Sequence, residues 1–275
     1  MKKEINPLAK DFYNYLKYDK NPGTAYNYSR IVNKFLKFVD KPLERINPLD
    51  ITRWYSHLEK NDYSPRTIQN YGWALRSFFD LMGIPEMKRR TPIVEFNAPE
   101  PKWMDKETTF ELIGRIPVLC VAYDLALRVG EVGLLRRVEF NPKTGEITVT
   151  RLKHKGQRNK YLLTLDDWCL EVLNGYLKRF DEHLGDIVFP MSVSTIQKIF
   201  NRREKAIGLE NYKFHSLRHS RITHLAIREL EEKGVVNELS LARFAGHLRV
   251  ETTRTYVHLA SKYFAFGRDR YGKGA

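Results

Sequence analysis

Residues 215–226 read HSLRHSRITHLA, and residues 245–259 read AGHLRVETTRTYVHL. In the first stretch His215 and His219 stand four apart, so on a helix they share a face, with Arg218 beside them. That spacing taken alone suits a zinc pair, but a guanidinium on the same face repels a metal cation, so no metal site is expected there. In the second stretch a glycine precedes His247, and Tyr256 follows nine residues later. With 15 tyrosines in the chain, only its position singles Tyr256 out. His224 and His258 lack such spacing and read as packing histidines.

Two further stretches lie upstream. Residues 126–131 read ALRVGE, where Arg128 and Glu131 stand three apart and form an ion pair if helical. Residues 151–160 read RLKHKGQRNK, with Arg151, Lys153, Lys155, Arg158 and Lys160 around one glycine. The alternation of Ile147 and Val149 before this run, and of Tyr161, Leu163 and Leu165 after it, predicts a β-hairpin with a cationic loop. Taken alone, such a run is a solvated turn.

Helical segments surround the hairpin: 105–114, 117–128, and nearly everything after Asp166, with breaks at 185–190, 208–211 and Gly234. In the first ninety residues four helices are expected, each opened by a polar cap and a proline: Asn6-Pro7, Asn21-Pro22, Asn47-Pro48 and Ser64-Pro65. Two share a stripe, Thr24-Tyr28-Val32-Phe35 and Thr67-Tyr71-Leu75-Phe78, which reads as bundle core. Arg30, Lys34, Lys37, Arg66 and Arg76 then lie on other faces, open to phosphates. From about Lys88 to Met104 the periodicity breaks around Pro92, Pro99 and Pro101. The expected organisation is a helical domain over 1–90, a linker over 91–104, and a second domain over 105–275. The fold class is mostly α with one small β-sheet.

Composition narrows the function. The 275 residues carry 47 Lys+Arg against 33 Asp+Glu, a net charge of +14, and 42% hydrophobic residues. That is apolar material enough for packed cores, and a charge that calls for an acidic partner, nucleic acid first. Both halves are basic, with 17 cationic against 12 anionic residues up to residue 100 and 30 against 21 beyond it. No G-x-x-x-x-G-K-[ST] or G-x-G-x-x-G motif is present, which removes the common nucleotide-binding loops. Two cysteines build neither a disulfide framework nor a Cys-rich zinc site. A metal-dependent nuclease needs converging carboxylates, whereas the acids here are scattered; composition alone leaves that reading open. No apolar run approaches about 18 residues, and the start lacks the apolar core of a signal peptide. A cytoplasmic protein without membrane contact is the expectation.

In order and spacing, ALRVGE, the Lys155 loop, HSLRHSRITHLA and AGHLRVETTRTYVHL resemble the tyrosine recombinases of the phage integrase and Xer type. The helical N-terminal unit is similar to that family's SAM-like core-binding domain, so the resemblance covers nearly the whole chain. It implies a catalytic domain in which Tyr256 is the nucleophile and Arg128 and Arg218 clamp the phosphate. Lys155, His215 and His247 are the remaining catalytic groups, Lys155 as general acid (with Lys153 its rival) and His215 as candidate base. Glu131 supports its neighbours, and Arg30, Lys34, Arg66, Arg76, Lys153 and Arg158 are candidate DNA contacts. The implied reaction is metal- and ATP-independent DNA strand exchange, with no cofactor, at a specific site in double-stranded DNA. It serves integration and excision or dimer resolution. The chain would be a monomer or weak oligomer when free, a tetramer on two duplexes, and nucleoid-associated in a prokaryotic host. A terminal tail anchored by Leu259, Tyr263, Phe264 and Phe266 would dock in the neighbouring protomer or on its own domain. Two rivals stay open: an inactive DNA-binding accessory protein and a type IB topoisomerase-like enzyme. The sequence departs from the family at Ala126, where many relatives have glycine and where a helix would tolerate the swap. The charged stretch between Arg218 and His247 also departs, being several residues longer than in compact relatives, and removes no catalytic residue.

Overall fold

The computed structural model describes residues 5–96, 99–152, 158–180 and 185–266. It contains two compact units that divide between Pro99 and Glu100.

The first unit is helical: α1 (Pro7–Asp19), α2 (Pro22–Val39), α3 (Pro48–Lys60), α4 (Pro65–Leu81) and a short α5 (Pro85–Arg90). Each of the first four has proline in its first turn and a capping side chain outside it. Asn6, Asn21 and Asn47 accept from Leu8, Gly23 and Leu49 N–H groups at 3.0, 2.8 and 3.0 Å, and Ser64 accepts from Thr67 at 3.3 Å. These caps satisfy amides that the helix itself leaves open. The two stripes meet in the core: Val32, Phe35, Leu75 and Phe78 are fully buried, and Tyr71 stacks on Trp54 at 6.0 Å.

The second unit packs helices around one hairpin. Its helices are α6 (Lys106–Ile113), α7 (Pro117–Asp124), α8 (Val129–Val132), α9 (Asp167–Phe180), α10 (Val193–Ala206), α11 (Phe214–Lys233), α12 (Glu238–Ala245) and α13 (Glu251–Phe266). Strands β1 (Glu146–Leu152) and β2 (Arg158–Thr164) pair antiparallel, from Glu146 opposite Thr164 to Leu152 opposite Arg158. Ile147 and Val149 point into the core, while Lys160, Leu162 and Thr164 are exposed. On α11, Arg221 reaches Asp124 of α7 and Asp166 before α9, both at 2.8 Å, and ties three helices together.

One expectation changes. The helix expected over 117–128 stops at Asp124, and Ala126 sits in a left-handed turn at φ 48° rather than in a helix. A side chain there costs about 1 kcal/mol or more, which glycine avoids. The helix expected after Arg218 is present: α11 runs to Lys233 and ends at Gly234, φ 72°, where the break was expected. Beyond Tyr256 the chain continues as helix, with Leu259 buried and Tyr263 packed on Trp103 at 5.9 Å, while Phe264 and Phe266 are exposed. Trp103 and Met104, at the end of the expected linker, are buried in this unit. Among the described residues no helix is long and apolar enough to cross a membrane.

Candidate active site

Helices α11 and α13 meet at one tyrosine. Tyr256, on α13, is 4% exposed, and its hydroxyl lies 2.8 Å from Nδ1 of His219 on α11. The His247 ring lies 5.7 Å from the tyrosine ring at 17° between planes, and Nδ1 of His247 sits 2.9 Å from Oγ1 of buried Thr253. Burial raises the Tyr256 pKa, and the pull of Arg218 and Arg128 does not offset it. The free protein therefore holds Tyr256 as a phenol, although the two arginines alone would favour the phenolate.

Arg218 is buried on α11. Its Nη1 donates to the Ala126 carbonyl at 2.6 Å and its Nη2 to the Ala245 carbonyl at 2.5 Å. Burial, with Arg128 and Arg151 nearby, pushes it down to about 9. Arg128 ends the turn that Ala126 makes, and its side chain is 37% exposed while pairing with Glu131 at 2.8 Å. Glu131 is completely buried. It accepts from Arg151 Nη1 at 2.8 Å and from the Arg128 backbone N–H at 3.0 Å. Burial would raise its carboxyl, but Arg151 and Arg128 hold it below the usual range.

Arg151 is the residue that sequence reasoning missed, placed there among the loop cations. It is 1% exposed and donates to the carbonyls of Leu125, Ala126 and Phe244 at 3.0, 3.3 and 2.7 Å. It binds the hairpin to the Ala126 turn and to the end of α12. Gly246 makes room for it: at φ 66°, a Cβ there would meet the Arg151 stem at 3.0–3.1 Å. His219 and Thr253 were also missed as site residues.

The structure thus brings Arg128, Glu131, His215, Arg218, His247 and Tyr256 into one region. His215 is solvent-exposed on one side, its ring 4.5 Å from that of His219, and desolvation on the other side with Arg218 and Arg128 lowers its pKa. Lys153 and Lys155 lie outside the described residues, as does the Arg158 side chain. His224 packs between Met104 and Tyr123, whereas His258 is exposed beside Glu100. In the first unit Arg30 and Arg66 are exposed and Arg76 is half-buried, while Lys34 donates to the Tyr71 hydroxyl at 3.1 Å. Arg128 and Arg218 act on the Tyr256 hydroxyl, and Glu131 is bonded to Arg128 and Arg151 while Arg218 bonds only backbone carbonyls among the described residues, which leaves positive charge for an incoming anion.

Comparison with known proteins bears on the family and the fold. The model of the phage integrase family matches residues 106–262, and that of its SAM-like N-terminal domain matches residues 9–82. Tyrosine recombinase XerA of Thermococcus kodakarensis is 25% identical over 97% of this chain and 96% of its own length. A tyrosine recombinase of Thermosipho africanus is 27% identical over 87% and 90%. Among solved structures, a lambda integrase tetramer bound to a Holliday junction has a TM-score of 0.70 at 15% identity, covering 90% of this chain and 76% of that one. XerH bound to palindromic difH substrate, in a post-cleavage complex, has a TM-score of 0.69 at 16% identity, over 93% and 82%. The structural likenesses establish the fold, and the family model, which spans more than half of the chain, shows that it belongs to the phage integrase family, the tyrosine-type site-specific recombinases.

Proposed function

We propose that this chain exchanges DNA strands with Tyr256 as its nucleophile, Arg128 and Arg218 as the phosphate clamp, and Lys155 as the general acid. The observation that carries this reading is the tyrosine hydroxyl set beside guanidiniums with unmatched positive charge. Attack by Tyr256 Oη on a backbone phosphorus builds negative charge on the non-bridging oxygens, and two guanidinium forks stabilise it. The P–O5′ bond breaks and the 5′-oxygen leaves with a proton from Lys155. The 3′-phosphotyrosine keeps the energy of the broken bond, so a 5′-hydroxyl of another strand reseals the backbone without ATP. His215 and His247 complete the polar groups around the transferred phosphate. Glu131 and Arg151 hold Arg128 and the Ala126 carbonyl in place.

In this reading residues 1–90 are the core-binding domain, which grips DNA with Arg30, Lys34, Arg66 and Arg76, residues 91–104 link it, and residues 105–275 carry the chemistry. Lys153 and Arg158 add contacts from the hairpin. The relatives' complexes, a DNA-bound dimer and a tetramer on a Holliday junction among them, support double-stranded DNA as partner and assembly on it. Phe264 and Phe266, both exposed, are the tail residues that would meet a neighbouring protomer.

A plasmid carrying two direct copies of the DNA that flanks the gene tests the reading. Recombination yields two circles in the absence of metal and ATP. Relaxation of supercoils without circle exchange would instead favour the topoisomerase-like enzyme, and binding without either product the inactive accessory protein.

A further inference from the structure

Tyr256 has one hydrogen-bonding partner in its hydroxyl's reach among the described residues, and it is His219 rather than His215. The Oη···Nδ1 separation is 2.8 Å, and the two rings lie nearly parallel, 28° between planes with centroids 5.7 Å apart. The groups that face His219 are His215 and Arg218 on its own helix, His247 at the end of α12, and Tyr256 on α13. No carboxylate is among them. Burial, then the neighbouring His215, Arg218 and His247, push His219 down to about 3, so it is neutral at pH 7, with one N–H and one lone pair.

We propose that His219 is the catalytic base of the strand-cleavage step, taking the Tyr256 proton on Nδ1 as the Oη–P bond forms. This rests on the reading of Tyr256 as nucleophile. The step balances: Oη–P forms, P–O5′ breaks, the phenolic proton moves to His219, and the 5′-oxygen takes a proton from Lys155. On resealing, the 5′-hydroxyl attacks phosphorus, returns its proton to Lys155, and the departing phenolate recovers its own from His219.

The environment also sets when this happens. Without DNA the imidazole is a poor base and Tyr256 a reluctant acid, so no phenolate forms idly. A phosphate bound between Arg128 and Arg218 offsets the repulsion that Arg218 adds to burial and stabilises the imidazolium, so His219 becomes a stronger base with substrate in place. A hydrogen bond that merely fixed the tyrosine ring would work with either tautomer. A base needs the lone pair on Nδ1 and the proton on Nε2.

That difference is measurable without any DNA. Ring-15N-labelled full-length protein at pH 7, with His219 assigned by its loss in His219→Asn, is expected to show unprotonated Nδ1 and protonated Nε2. A proton on Nδ1, donated to the tyrosine oxygen, overturns the proposal, whatever DNA the protein acts on. The second arm is single-turnover formation of the Tyr256 adduct on a nicked duplex from the flanking DNA. Asparagine keeps an acceptor near the Nδ1 position without its basicity. His219→Asn is expected to slow the step by roughly 100-fold or more at pH 7. Its rate should climb about tenfold per pH unit while the wild type stays flat from pH 6 to 8. A bridging 5′-sulfur, which leaves without a proton, should rescue Lys155→Ala but not His219→Asn. A His219→Asn rate within about threefold of wild type, with a flat profile, reduces His219 to a positioning residue and sinks the proposal. Loss of the adduct from the wild type itself would strike the nucleophile assignment, while the tautomer still decides the role of His219.

Discussion

Arg151 shows how much a single buried charge organises here. Its guanidinium serves Glu131 and three backbone carbonyls from the turn before Arg128 and the end of α12. Removing it leaves Glu131 and those carbonyls short of donors inside the protein. Arg151→Ala is therefore expected to cost about 3–5 kcal/mol, seen as a lower urea midpoint of the second unit. Arg151→Lys should recover less than half, because one ammonium does not span four acceptors. A wild-type midpoint for either variant would contradict the account. The signal for Arg151 was present in the sequence: it follows Ile147 and Val149 at period two, on the buried face of β1. It was obscured by the run of cations that begins at it. His219 showed only its spacing from His215 and Thr253 showed nothing, because their roles exist only where α11 and α13 meet. The six family residues were recognisable through the order and spacing of four boxes, not through any one of them.

At the scale of elements, the N-terminal helix starts were legible because cap and proline are local chemistry. The Ala126 turn was not, since its left-handed residue is held by tertiary bonds from Arg151 and Arg218 to one carbonyl. The packing of α11 against α12 and α13 makes a prediction about acid. His219, His224 and His247 are held down to about 3, 4 and 3, in each case chiefly by burial. Their folded values lie below the unfolded value, so the unfolded chain binds more protons between them. The stability they contribute is complete above about pH 6.5 and is lost as pH falls below it toward 4. At up to about 1.4 kcal/mol per histidine per unit, the second unit is expected to lose roughly 3–4 kcal/mol between pH 7 and 5.5. Urea titrations followed by tryptophan fluorescence at both pH values check this; equal midpoints would show that the histidines are not held neutral.

Over the whole molecule, a net charge of +14 spread over both units fits a partner that is itself a polyanion. Affinity for duplex DNA should fall steeply with salt, by about 10³–10⁵ between 50 and 200 mM if six to ten phosphates are contacted. Replacing exposed Arg66 with alanine should reduce the slope of log K against log salt by about one; an unchanged slope removes Arg66 from the DNA-binding face. Charge alone does not distinguish a binder from an enzyme, and the chemistry rests on one side chain. The most direct test is to trap the protein on nicked duplexes from the flanking DNA, digest the complex, and locate the nucleotide-bearing peptide by mass spectrometry. The expected result is a 3′-phosphate on Tyr256, absent in Tyr256→Phe. An adduct on another residue, Tyr263 for example, or one that persists in Tyr256→Phe, would contradict the account.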